Sequence, residues 1–244
     1  MMYKSNGLSI FFGNAQTAVF PEYNRSLWQQ SDHLLNHPTF NFLQKNLDIY
    51  NLIFAHQIHG TNILDVSSEN NHIQSFIHEA DALCTNTLNT GLAVLTADCV
   101  PVILYNSSIP LIAIIHAGWR GALDTIVPKT LDYLCNTYSS KVKDYKVFFG
   151  PCARACCYII DHNLADFFAQ TKEGRKAIIQ KNSDYFLDIP TYLIQQLMDR
   201  GILTSSIHSM HAQCTICNTN FCSYRRQKQA AGRQITAVSI QKDF

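Results

Sequence analysis

The chain has 244 residues, a length that suits one large domain or two small ones. Only 15% of the residues are charged while 47% are hydrophobic, so few surface charges cover a large interior. The net charge is +1 with no basic block, which argues against a nucleic-acid binder, because such proteins need a patch that neutralises phosphates.

The opening MMYKSNGLSIFFG lacks the cationic start, long apolar run and small-residue cleavage site of a secretory signal. No window approaches the ~20 apolar residues of a membrane span, so no membrane association is expected. Leu8 to Phe12 reads as a strand. Trp28 to Leu47 carries a helical pattern interrupted at Pro38. Leu52 to Ala55 and Asn62 to Val66 read as short strands. Gly91 to Tyr105 holds two apolar runs, LAVLT and VPVILY, around Ala97-Asp98-Cys99, and Leu111 to Ile115 forms another. Short continuous apolar runs suit strands buried on both faces.

Ala122 to Tyr138 reads as a helix, with Leu123, Ile126, Leu131 and Leu134 near a 3.6 spacing and a start or kink at Pro128. Lys146 to Phe149 is a strand closed by Gly150-Pro151. Pro190 to Met198 is a helix with proline in its first turn, and Ile235 to Ile240 is a last strand. Strands and helices mix without strict alternation. The expectation is an α+β fold, mixed β-sheets packed between helices, with residues 1–244 as a single domain.

Three polar groups end apolar strands: His59 in HQIHG, Cys99 in TADC and His116 in HAGW. Strand ends feeding short loops are where rigid scaffolds place reactive groups. Two imidazoles and a thiolate make a zinc set with one open position, at which zinc can lower the pKa of a bound water to about 7. The same Cys99 and His116 also supply the nucleophile and base of a cysteine hydrolase. The residues alone leave both readings open, along with a zinc-stabilised binding protein.

Nine cysteines is an odd number in a chain too long to need disulfide staples, so reduced thiols in the cytoplasm are expected. Cys214 to Cys217, CTIC, has C-x-x-C spacing. A zinc ribbon needs a second such pair, and the adjacent Cys156-Cys157 is not one, so these thiols read as structural.

The strings HQIHG, ADALCTN, TADCVPVIL, HAGWRG, GPC…CCY and FCSYRR…GRQ occur in this order from His56 to near the C-terminus. Together they resemble the laccase-domain family, the multicopper polyphenol oxidase-like or purine nucleoside phosphorylase family. The resemblance implies one metal site, zinc with copper as the alternative, held by His59, Cys99 and His116. It implies phosphorolysis of adenosine, inosine, guanosine or methylthioadenosine with inorganic phosphate, and adenosine deamination. The older family name implies copper-dependent phenol oxidation instead. Gln57, Asp98 and Arg120 are the candidate substrate contacts, with Arg120 offering a planar fork to an anion. Asp98 is a candidate proton donor to the leaving base or a support for its neighbour Cys99. The chain departs from the family in two strings. The N-terminal Arg-x-Gly-Gly-x-Ser loop is replaced by FFGNAQTAVFPEYN, and Cys-Cys-Tyr-Glu becomes Cys156-Cys157-Tyr158-Ile159. The His72–Glu79 loop is particular to this chain.

Overall fold

The computed structural model describes residues 1–5, 7–17, 38–67 and 78–241. Two large sheets carry the fold. One has five strands in the order β1 (Met2–Ser5), β2 (Leu8–Phe12), β14 (Gln234–Ile240), β6 (Thr90–Thr96) and β3 (Asn51–Phe54). The other has six, in the order β13 (Ile207–His208), β9 (Tyr145–Phe149), β7 (Val100–Asn106), β8 (Leu111–Ala117), β5 (Ala82–Thr85) and β4 (Ile63–Asp65). Both are mixed: β3 runs parallel to β6, while β14 runs antiparallel to β6. A small third sheet orders β10 (Ile159–Ile160), β12 (Asp184–Leu187) and β11 (Ile178–Lys181).

The strand sequences explain the layering. Side chains alternate faces along a strand. In β8, Leu111, Ala113 and Ile115 enter one core, and Ile112 and Ile114 enter another. The second core lies between the large sheets, where Ile112 and Ile114 meet Phe12, Val94 and Val238. The first core packs the six-stranded sheet against three helices: α2 (Trp119–Leu123), α3 (Ile126–Thr137) and α6 (Ile189–Asp199). On the far side, α1 (Pro38–Leu47) covers the five-stranded sheet with Leu43 and Leu47 against Phe54 and Leu95. The inner strands β2, β14, β6, β7 and β8 are thus buried on both faces, as their unbroken apolar runs predict. The expected α+β class, with mixed sheets packed between helices, is the observed one.

Among the described residues, the remaining α-helices are α4 (His162–Ala169), α5 (Lys172–Ala177) and α7 (Tyr224–Gln227). The helix expected over Ala122–Tyr138 is two helices. The break falls at Thr125, whose φ of 61° is left-handed, and not at Pro128. Pro128 sits in the first turn of α3, where a missing N–H costs nothing. Pro190 lies in the first turn of α6 as expected, behind Asp188, whose carboxylate accepts the Thr191 N–H. Of the helical pattern from Trp28, the part before Pro38 lies outside the described residues, as does most of the His72–Glu79 loop.

Candidate metal centre and cavity

The alternation in β8 places His116 on the face of Ile112 and Ile114, at the open end of the core between the sheets. It is only 3% exposed. Cys99 sits in the three-residue link from β6 to β7, where the chain crosses from one large sheet to the other. That crossing is tight, and Asp98 takes a φ of 91° to make it. His59 sits in the loop after β3, also left-handed at φ 61°. Left-handed conformations at such residues are costly and persist only where surrounding contacts impose them.

At His59 those contacts come from Asp81, which precedes β5 and is buried. Its carboxylate accepts the backbone N–H groups of Ile58, His59 and Gly60 at 3.2, 3.0 and 2.7 Å. It also lies 2.8 Å from His116 Nδ1, and its backbone carbonyl accepts the His116 N–H at 2.7 Å. One carboxylate therefore fixes the His59 loop and the His116 ring together. Burial opposes charge on Asp81, but the hydrogen bond and charge of His116 and the loop amides outweigh it and hold the carboxyl below its usual range.

The ligand atoms of His59, Cys99 and His116 all lie within 4.8 Å of one another. Cys99 Sγ is 3.9 Å from His59 Nε2, and the two imidazole rings meet edge to face with centroids 4.7 Å apart. Asp81 engages Nδ1 of His116, which leaves Nε2 as the free ligand nitrogen. Burial alone would raise the Cys99 thiol; the charge and hydrogen bond of His116, then His59, overcome this and bring it to about 6. Burial alone would lower His116; the thiolate and Asp81 raise it to about 9. A thiolate beside two imidazoles is a donor set that fits zinc or copper. The backbone leaves room for it: a Cβ on Gly118 would stand 3.0 Å from the His59 ring and 3.3 Å from Cys99 Sγ.

These residues line a cavity of about 510 Å³, within the range of small-molecule sites. Gln57, Asp98 and Arg120 line it too. Gln57 exchanges two 2.8 Å hydrogen bonds with the backbone of Leu95, as a strand partner would. Asp98 accepts the Thr215 hydroxyl at 2.6 Å and the Arg225 N–H at 2.7 Å, so its carboxylate ties Cys99 to two distant loops. Arg120 lies with its guanidinium carbon 4.3 Å from the Trp119 ring centroid.

Further lining groups escaped the sequence reading. Arg225 stacks on Tyr158 at 4.6 Å, and Arg233, Tyr224 and His56 also face the cavity. His56 Nε2 is buried with no hydrogen-bond partner among the described residues. Asp81 was missed as well. Its one sequence signal was a charge immediately before the apolar strand ALCT, within a string already noted.

Residues 13–241 match the family model described as multi-copper polyphenol oxidoreductase laccase. The chain belongs to this family. A purine nucleoside phosphorylase of Clostridium acetobutylicum is 29% identical over 238 residues, covering 97% of this chain and 93% of the relative. A purine nucleoside phosphorylase of Aquifex aeolicus is 34% identical over 162 residues, 66% of this chain and 71% of the relative. Among solved structures, the hypothetical protein YfiH of Bacillus licheniformis superposes with a TM-score of 0.83 at 24% identity, covering 97% of this chain and 94% of that one. That likeness shows a shared fold.

Proposed function

We propose that the chain is a zinc-dependent purine nucleoside phosphorylase, acting as one domain over residues 1–244. The carrying observation is the convergence of His59, Cys99 and His116 on the floor of a cavity that arginine and aromatic side chains also line. The names of the relatives support the substrate class. His59, Cys99 and His116 would hold the ion, which supplies Lewis acidity when bound.

The chain's own groups supply the rest. Trp119, Tyr158 and Tyr224 offer ring faces for a purine, and His56 Nε2 offers a hydrogen bond. Arg120, Arg225 and Arg233 bring positive charge for phosphate. A phosphate oxygen bonds to the anomeric carbon as the bond from that carbon to the purine nitrogen breaks, and the base leaves with a proton. Adenosine, inosine, guanosine and methylthioadenosine fall within this reading. Adenosine deamination does too, with water as the co-substrate and ammonia as the product. The odd count of nine cysteines supports a reducing cytoplasm as the place of action.

The test is product analysis of metal-quantified protein with inosine and with adenosine, with and without phosphate. Phosphate-dependent release of hypoxanthine and ribose 1-phosphate is expected. The proposal fails if zinc-loaded protein releases no base. Full activity after chelation would instead favour a cysteine hydrolase. The family description favours copper oxidation of phenols as the second reading, and oxygen uptake by copper-loaded protein with a phenol measures it.

A further inference from the structure

A second group of metal-competent side chains lies outside the cavity floor. The sequence offers one C-x-x-C pair, Cys214 to Cys217, and no other. The fold supplies the missing half from the adjacent pair Cys156-Cys157. The four sulfurs lie within 4.8 Å of one another, and Cys156 Sγ is 3.9 Å from Cys217 Sγ. With zinc–sulfur bonds near 2.3 Å, neighbouring sulfurs of a tetrahedral site stand about 3.8 Å apart.

The backbone is built to bring them together. The strand-like pairing of Cys152 with Cys214 uses hydrogen bonds from Cys152 N–H to the Gln213 carbonyl and from Thr215 N–H to the Cys152 carbonyl, both 3.0 Å. A turn follows, in which the Cys157 and Tyr158 N–H groups both donate to the Arg154 carbonyl at 2.9 Å. Cys156 and Cys217 are exposed, which gives an ion a way in.

We infer that Cys156, Cys157, Cys214 and Cys217 bind one zinc ion as a structural knot behind the cavity wall. Each thiol gives its proton to solvent on binding, and no group is oxidised. An all-thiolate tetrahedral set selects zinc or iron among common ions.

The knot has a reason to be where it is. Thr215, inside the C-x-x-C turn, donates its hydroxyl to Asp98 at 2.6 Å. Arg226 donates to the Thr215 and Ile216 carbonyls at 2.7 Å each, and its neighbour Arg225 donates its N–H to the other Asp98 oxygen. Tyr158, which follows Cys157, lines the cavity. Tying the two cysteine pairs together thus fixes the residue before Cys99 and the wall made by Tyr158 and Arg225.

Zinc is measured per chain on protein purified anaerobically under reducing conditions. The proteins are the wild type, the His59→Ala/Cys99→Ala variant and the Cys156→Ser/Cys217→Ser variant. The His59→Ala/Cys99→Ala protein, without its first set, is expected to keep one zinc. Its cobalt form is expected to show the intense sulfur-to-cobalt charge transfer of a tetrathiolate. The Cys156→Ser/Cys217→Ser variant is expected to lose that ion and to exchange the amides of residues 97–99 and 214–226 at least ~10-fold faster. Should that variant fail to fold, thiol alkylation of the wild type stands in its place, with all four cysteines protected until the zinc is stripped. A His59→Ala/Cys99→Ala protein without metal, or one holding iron, overturns the inference. So does a wild type whose four thiols alkylate freely or pair as a Cys156–Cys217 disulfide.

Discussion

Asp81 and His116 form a buried pair, 2.8 Å apart between carboxylate oxygen and Nδ1, with 0% and 3% of their side chains exposed. The same carboxylate holds the backbone of His59. Two candidate ligands on different elements are therefore set by one residue that is not itself in the candidate ligand set.

Asp81→Asn tests that relationship. The amide can accept fewer of the four hydrogen bonds and cannot balance an imidazolium. Loss of such outer support ordinarily costs about 10–100-fold in metal affinity. Competition with a zinc chelator should show a weakening of that size, and unchanged affinity would show that the pair is not needed for the site. Breaking a buried charged pair also costs about 3–5 kcal/mol, so the melting temperature should fall.

Gly118→Ala separates steric from conformational effects. Gly118 has φ −75° and ψ 172°, a conformation alanine adopts freely. The new methyl would press on His59 and Cys99, at 3.0 and 3.3 Å. The expected result is a folded protein that binds zinc at least ~10-fold more weakly. Wild-type affinity by titration calorimetry would mean that the two side chains give way at no cost.

The metal-free protein should show its thiolate in its chemistry. The Cys99 thiol is brought to about 6, below its ordinary value, so its contribution to stability is complete above the ordinary thiol range and is lost as pH falls through about 6. His116, raised to about 9, contributes fully below its ordinary value and loses that contribution as pH rises through about 9. Between these limits the thiolate–imidazolium pair is charged. Alkylation of Cys99, followed by peptide mapping, should be half-maximal near pH 6 in the chelated protein. A midpoint near ~8.5, the value of a free cysteine, would remove the pair.

Asp188 links the chain's middle to its C-terminal third. It accepts Arg154 Nε at 2.8 Å and caps α6 through the Thr191 N–H at 2.9 Å. Burial opposes its charge, and Arg154 outweighs burial, so the carboxyl sits below its usual range. A depressed carboxyl stabilises above its ordinary pKa and loses that effect as pH falls past it. Asp188→Asn keeps an acceptor for the cap but loses the ion pair. Urea unfolding should show a deficit of about 1–2 kcal/mol at neutral pH that shrinks below pH ~4. A deficit constant with pH would assign the loss to packing.

Arg120→Ala rests on the proposed phosphorolysis. If its guanidinium meets phosphate, the KM for phosphate should rise about tenfold or more while the nucleoside KM holds, since a charged hydrogen bond contributes about 1.5–3 kcal/mol. Equal KM values for phosphate in the variant and the wild type would leave Arg120 as a partner of Trp119 alone.

The sequence by itself determined the buried sheets and picked out His59, Cys99 and His116, the three side chains that the fold brings together. Unbroken runs such as LAVLT and LIAII have no polar face to expose, so they had to lie between two apolar layers, and a polar residue closing each run had to emerge at a sheet end. Six ordered motifs then identified the family. Local pattern could not place what depends on partners far apart in the chain. The α2–α3 break needs a left-handed Thr125, and no proline or glycine marks it. Asp81 is an ordinary acid until β5 sets it beside His116, 35 residues on. Cys156-Cys157 and CTIC are unremarkable pairs some 60 residues apart until the Cys152–Cys214 pairing joins them. Apolar periodicity is written into neighbouring residues because burial acts on each side chain separately. Convergence of ligands is decided by strand order and crossing loops, which only the packed chain fixes.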